Sequence, residues 1–131
     1  MKFHDRVSVT IEDHVAHVLL DRADKMNALD PAMFDTLLEA GEVLYATPGV
    51  HAVVLAGEGR SFCAGLDLTS MANTDRHDAV PLTERTHGNS NRPQQVAMLW
   101  RKLPVPVIAA VHGVCFGGGL QVASGADIRV I

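Results

Sequence analysis

Apolar and polar residues alternate along the first part of the chain. Val7, Val9 and Ile11 are each followed by a polar residue, and this period of two is typical of a strand with one buried face. A second apolar run covers residues 15–20. The pattern predicts a β-hairpin over residues 6–21.

The period then changes to that of a helix. Asp30 is a favourable N-cap and Pro31 suits the first helical position. A helix is predicted from Pro31 to Tyr45, and its expected buried stripe is Phe34, Leu37, Leu38 and Leu44.

A second helix is predicted to begin near Ser90 or Asn91 and to end before Pro104. The preceding residues, 69–91, are polar and irregular, as in lids and binding loops. His77 and His87 in this stretch are possible acids or bases, although exposed side chains without a catalytic partner are the simpler interpretation.

Two continuous apolar runs, residues 50–56 and 105–111, are typical of buried strands. Each is followed by a glycine-rich turn, and residues 120–124 can start a helix. Backbone N–H groups at such a turn are open to close approach and favour an anion or a developing oxyanion.

The two glycine-rich stretches are similar to each other. When residues 53–68 are shifted by 54 positions onto residues 107–122, six pairs are identical: Val53/Val107, Ala56/Ala110, Gly59/Gly113, Phe62/Phe116, Gly65/Gly119 and Leu66/Leu120. This indicates either a repeated supersecondary unit or a chance match of glycine-rich segments. In the first case, two turns could direct their donors to one point and form an oxyanion hole.

Composition narrows the function classes. With 131 residues, 47% hydrophobic and 20% charged, the chain is expected to form a single globular domain over residues 1–131. A net charge of -4 argues against nucleic-acid binding, and no apolar segment approaches membrane-spanning length. Cys63 and Cys115, without an export signal, predict reduced thiols in a cytoplasmic protein.

Two polar features have alternative interpretations. The loop at residues 21–30 is either a plain connection or a phosphate-binding segment that uses Arg22 and Lys25. The early histidines, His4, His14 and His17, have no compact ligand spacing, so no metal site is predicted. The last residues, 126–131, are typical of the middle of a buried strand, so we expect the domain to be truncated at its C-terminal end.

Four motifs together resemble the crotonase superfamily, the enoyl-CoA hydratases and isomerases. Residues 62–68 and 111–120 resemble its two oxyanion-hole segments, residues 24–29 its loop beside the CoA moiety, and residues 125–129 its next strand. The resemblance implies an α/β fold, a crotonase-like (ClpP/crotonase) spiral of repeated β-β-α units. It also implies that the C-terminal helical part is absent.

The resemblance implies specific roles for residues. The backbone N–H groups of Leu66 and Gly118 would polarise a thioester carbonyl, and Gln121 lies at the catalytic acid–base position. The resemblance also favours the phosphate-binding interpretation of the polar loop at residues 21–30. The implied substrate-binding residues are Lys25, Met26, Ala28, Ala64, Gly65, Asp67, Leu68 and Gly117. Coenzyme A is part of the substrate, so no separate cofactor is expected.

Gln121 departs from the family pattern. Hydratases have a glutamate there and dienoyl isomerases an aspartate, whereas an amide cannot take up a proton as a carboxylate does. The family's second carboxylate lies beyond the last residue, Ile131.

The expected function is that of an acyl-CoA-processing enzyme, an enoyl-CoA hydratase or isomerase of fatty-acid metabolism. The alternative is a non-catalytic acyl-CoA-binding protein or an inactive truncated fragment. By resemblance, the full-length chain would form a homo-oligomer, either a trimer or a hexamer.

Overall fold

A six-stranded sheet forms the centre of the molecule in the computed structural model, which describes residues 1–72 and 80–131. The strands follow chain order: β1 (Lys2–Phe3), β2 (Val7–Glu12), β3 (Val15–Leu20), β4 (Ala52–Gly57), β5 (Val107–Ala110) and β6 (Ile128–Val130). The first three strands are antiparallel, and β3 to β6 pair in parallel. The predicted hairpin is confirmed as β2 and β3.

Helices connect the parallel strands. They are α1 (Pro31–Ala46), α2 (Leu68–Ala72), α3 (Arg92–Lys102) and α4 (Gly118–Ser124), with a short 3-10 turn at Ala23–Lys25. The predicted cap of α1 is confirmed, since the Asp30 carboxylate accepts the Met33 N–H at 2.8 Å. At the start of α3, Asn91 and Gln94 form a reciprocal capping box.

The core lies between the sheet and the α1–α3 pair. Trp100 of α3 is fully buried, and its indole N–H donates to the Val96 carbonyl at 2.9 Å. The predicted stripe of α1 is partly wrong: Leu38 is only half-buried, whereas Met33 and Ala40 are fully buried. The buried face of α1 is thus rotated from the predicted one, because α1 packs against both the sheet and α3.

The strand register has the same offset as the sequence repeat. Val53 pairs with Val107 and Leu55 with Ala109, so β4 and β5 are neighbours at a shift of 54 positions. The two similar sequences are therefore adjacent units of one sheet, as the repeat interpretation requires.

Two predictions about local structure are wrong. Residues 69–72, predicted to be irregular, belong to the short helix α2, because Asp67 caps its first N–H groups. Strand β6 exists but is exposed instead of buried, because it is the edge strand of the sheet. In the described part of the chain, no helix is long and apolar enough to span a membrane.

Candidate functional site

Three loops lie side by side just beyond the ends of β3, β4 and β5. The first two are joined by a short parallel ladder around Leu29 and Leu66. The Leu29 N–H donates to the Gly65 carbonyl at 2.7 Å, and the Asp67 N–H donates to the Leu29 carbonyl at 3.0 Å. The polar loop is thus aligned with the first glycine turn.

A second ladder joins the two glycine turns to each other around Cys63 and Cys115. The Cys63 N–H donates to the Val114 carbonyl at 3.1 Å, and the Phe116 N–H donates to the Cys63 carbonyl at 3.1 Å. The two repeated units therefore present their turns next to one another, while the convergence of their donors on one point stays a prediction.

Glycines allow this close approach. Gly65 has a φ of +92°, and a Cβ there would lie 2.7 Å from the Phe116 carbonyl oxygen and 3.5 Å from the Gly118 nitrogen. A Cβ on Gly119 would lie 2.5 Å from the Cys63 carbonyl oxygen. Any larger residue at either position would push the two loops apart.

Two backbone donors at this junction are unused. Within residues 1–72 and 80–131, neither the Leu66 N–H nor the Gly118 N–H has an acceptor. Gly118 is the first residue of α4, after Gly117 with φ 49° and ψ -116°. An N–H at a helix start has no partner within its own helix, so the Gly118 N–H is available to an external acceptor.

An apolar cavity of about 510 Å³ adjoins the Leu66 side of this junction. Glu84 and Arg92 contribute charged groups to its wall. The rest of its lining is mainly apolar and includes Leu29, Phe34, Leu66, Val80, Leu82 and Pro93. A cavity of this kind suits the apolar part of a ligand.

Arg22 is committed to internal ion pairs. Its guanidinium lies 2.7 Å from the Asp67 carboxylate and 3.6 Å from that of Asp30. The hydrogen bond from Arg22, followed by the one from the Ser70 N–H, holds the pKa of Asp67 below its ordinary value. Arg22 therefore does not offer a free charge to a phosphate, whereas Lys25 is exposed.

Sequence reasoning missed Asn27, which is completely buried. Its Nδ2 donates to the carbonyls of Glu58, Ser61 and Phe62 at 3.0, 2.9 and 3.1 Å. Its Oδ1 accepts a hydrogen bond from the backbone N–H of Arg22 at 2.8 Å. Asn27 thus fixes the polar loop to the first glycine turn. Its backbone has a φ of +57°, a conformation in which asparagine is enriched.

The other residues implied by the resemblance differ in exposure. Gln121 is exposed on α4, Leu68 is 78% exposed, and Met26 and Ala64 are half-buried. Ala28 is buried. The Asp67 side chain is used by Arg22 and by the start of α2, so it contributes to the site mainly through structure.

His87, one of the two candidate acids or bases, lies away from this junction. The His87 Nδ1 lies 2.8 Å from the Thr86 hydroxyl, and His87 lines a separate cavity between α1 and α3. His77 lies outside the described residues. Among the residues that are described, no group of three or more His, Cys, Asp or Glu side chains could hold a metal ion.

The fold and the paired loops define a class. An α/β sheet of repeated units with two adjacent glycine turns fits the crotonase superfamily, which the motifs resemble. A family model described as enoyl-CoA hydratase/isomerase matches residues 10–131. The chain belongs to the enoyl-CoA hydratase/isomerase family, and the resemblance found in its motifs is confirmed.

Individual relatives agree with this assignment. The mitochondrial Delta(3,5)-Delta(2,4)-dienoyl-CoA isomerase of Mus musculus is 34% identical over 131 residues, which cover 96% of this chain and 40% of that protein. The (E)-benzylidenesuccinyl-CoA hydratase of Thauera aromatica is 34% identical over 125 residues, which cover 95% of this chain and 46% of that protein.

Solved structures give the same result. A Streptomyces coelicolor A3(2) structure described as an enoyl-CoA hydratase superposes with a TM-score of 0.80 at 37% identity, covering 98% of this chain and 46% of that one. The chain thus spans less than half the length of these relatives, and the crotonase fold is confirmed for the part that is present. Another relative, from Arabidopsis thaliana, is peroxisomal by name, so a cytoplasmic location stays a prediction.

Proposed function

We propose that this chain binds an acyl-CoA thioester with its carbonyl oxygen between the N–H groups of Leu66 and Gly118. In the whole protein, this oxyanion hole would serve an enoyl-CoA hydratase or isomerase reaction. The observation that carries the proposal is a pair of N–H groups that have no acceptor within residues 1–72 and 80–131, on loops that touch at Gly65.

The chemistry follows from the two donors. When a proton leaves the carbon next to the thioester, or a nucleophile adds to a conjugated acyl group, negative charge develops on the thioester oxygen. Donors already in place stabilise this charge without reorganisation, and removal of one typically costs about 2.7–4 kcal/mol. The ladders that hold both loops provide this preorganisation.

The apolar cavity beside Leu66 would bind the acyl group. Its volume of about 510 Å³ and its mainly apolar walls suit a hydrocarbon acyl chain. The CoA moiety would then extend past Lys25, Met26, Ala28 and Ala64, with Leu68 and Gly117 at the entrance. The dienoyl-CoA isomerases among the relatives support a role in fatty-acid metabolism.

Gln121 supports a second candidate function. It is an exposed residue in the first turns of α4, where the family has a carboxylate, and an amide is neither a base nor an acid at neutral pH. A protein with the donors and without the carboxylate would bind and polarise acyl-CoA without turning it over.

Calorimetric titration with crotonyl-CoA and with free CoA, beside hydration and isomerisation assays, tests both candidates. The proposal expects the thioester to bind more tightly than CoA. Turnover supports the enzyme, and thioester binding without turnover supports the second candidate. Equal affinity for crotonyl-CoA and CoA would overturn both, because the acyl cavity and the donors would then contribute nothing.

A further inference from the structure

We propose that Arg22 is a positioning residue that fixes the direction of the Leu66 donor. This inference rests on the proposed function, because it assigns Arg22 a role in an oxyanion hole. Arg22 itself lies on the polar loop, 44 positions before Leu66, and does not belong to either glycine turn.

Arg22 spans the ladder that holds Leu66. One nitrogen, Nη1, donates to the Ala28 carbonyl at 3.1 Å and to the Asp67 carboxylate at 2.7 Å. Ala28 precedes Leu29 on one side of the ladder, and Asp67 follows Leu66 on the other. The guanidinium therefore joins the two strands of the ladder at the bridge that sets the direction of the Leu66 N–H.

Asp67 extends this connection to the helix that follows. Its Oδ2 binds Arg22, while its Oδ1 accepts the N–H groups of Thr69 at 3.0 Å and Ser70 at 3.3 Å. The backbone on both sides of the Leu66–Asp67 peptide is thus held, on one side by Leu29 and on the other by the start of α2.

The arrangement is buried enough to be rigid. The Arg22 and Asp67 side chains are 13% and 10% exposed, in contrast to exposed surface pairs, which contribute little. A planar guanidinium can bind a carbonyl and two carboxylates at once, which a lysine cannot reproduce with the same geometry.

The second donor is held independently of Arg22. Gly118 is positioned by the Phe116 N–H, which donates to the Cys63 carbonyl, and by the Gly119 N–H, which donates to the Phe116 carbonyl. Loss of Arg22 should therefore affect one donor of the two.

The chain also offers a matched control. Arg6 lies 2.8 Å from the Asp30 carboxylate, which Arg22 also contacts. Within the described residues, the side-chain hydrogen bonds of Arg6 go to Asp30 and to the Asp5 carbonyl. Arg6→Met removes the same charge next to the same helix cap and leaves the Leu29–Leu66 ladder untouched.

The test is the absorption spectrum of cinnamoyl-CoA bound at saturation to the wild-type chain and to R22M, R22K and R6M. Donors to the thioester oxygen draw electron density along the conjugated acyl group and shift its absorption to longer wavelength. We expect a red shift with the wild type and with R6M. For R22M we expect about half of that shift, since one donor of two is misaligned, and for R22K an intermediate value.

Each outcome is decisive. A full red shift with R22M or with R22K contradicts the positioning role, whatever happens to affinity. An equal loss in R6M and R22M also contradicts it, because the effect would then come from the charge near Asp30. If R22M does not unfold cooperatively, the red shift with R22K is compared with that of the wild type, and this comparison tests the positioning role. No red shift with the wild type would overturn the oxyanion hole itself, and the role of Arg22 with it.

Discussion

A Cβ on Gly65 would lie 2.7 Å from the carbonyl oxygen of Phe116. These two residues belong to different repeated units, and the absence of a side chain at Gly65 is what lets the units touch. The distance between the two unused donors is therefore set by a backbone contact, which is less adjustable than a contact between side chains.

Gly65→Ala should separate the two turns. The alanine would combine a left-handed backbone with a clash against main-chain atoms, so we expect a loss of about 3 kcal/mol or more in the free energy of unfolding. Gly88→Ala is the control, since Gly88 has a φ of +68° and no atom of the described residues lies within 4 Å of its Cβ position. It should cost about 1–2 kcal/mol. Equal losses in urea denaturation would show that the contact with Phe116 is unimportant.

Asn27 should be the most sensitive polar residue of the site. Asn27→Gly keeps the left-handed backbone and removes the bonds to three carbonyls, so it should cost about 1–3 kcal/mol. Asn27→Asp places a buried carboxylate against those same carbonyl oxygens and should cost about 3–5 kcal/mol at neutral pH. Chemical denaturation of both variants checks the order. If Asn27→Asp were more stable than Asn27→Gly, the assignment of Nδ2 as the donor would be contradicted.

The Arg22–Asp67 pair predicts a pH dependence of stability. The pKa of Asp67 is lowered by the hydrogen bond from Arg22, so the folded state holds its proton more weakly than the unfolded state does. The stabilisation is therefore present above the ordinary pKa of about 3.9 and is lost as the pH falls through the lower folded-state value.

Wild type and Asp67→Asn should accordingly differ most near neutral pH and converge below about pH 4. Urea denaturation from pH 7 to pH 3 measures the difference between the two. Asp24→Asn, which changes an exposed carboxylate of the same loop, is the control and should leave the stability close to that of the wild type. A constant gap for Asp67→Asn would show that the carboxylate charge does not contribute.

The two cysteines should react at different rates. Burial is the main cause that raises the pKa of the Cys63 thiol to about 11, and its Sγ donates to the Asn27 carbonyl at 3.1 Å. At pH 8 only about one part in a thousand is thiolate. Iodoacetamide should therefore label the half-buried Cys115 first, and Cys63 only after denaturation. Mass spectrometry of the labelled peptides reads this out, and rapid labelling of native Cys63 would contradict its burial.

Local patterns predicted much of this fold. Two of the confirmed predictions depend only on neighbouring residues. They are the alternation at Val7, Val9 and Ile11 and the helix cap at Asp30. The shift of 54 positions left two interpretations open, a repeated unit or a chance match, and the pairing of Val53 with Val107 agrees with the first. Strands β4 and β5 pair in parallel with this same shift of 54 positions, so the strand register shows the equivalence of the two units.

Long-range side-chain contacts could not be predicted in the same way. Arg22 and Asp67 are 45 positions apart, and Asn27 and Phe62 are 35 apart, so no local period connects them. The polar loop had two interpretations for that reason, a plain connection or a phosphate-binding segment, and neither included the internal ion pairs of Arg22. Strand β6 was expected to be buried because its sequence is apolar, while exposure depends on what lies next to it in the sheet.

The proposed oxyanion hole should polarise the carbonyl of a bound thioester. Isotope-edited infrared spectra of carbonyl-13C crotonyl-CoA would be recorded with the wild-type chain, G118P and G118A. Proline is tolerated at the first position of a helix and removes the N–H, whereas alanine adds a Cβ near Leu29 and keeps the N–H. We predict a carbonyl stretch that is lowered by the wild type and by G118A, and that returns towards the value of free crotonyl-CoA with G118P. An identical carbonyl frequency in G118P and G118A would contradict this prediction.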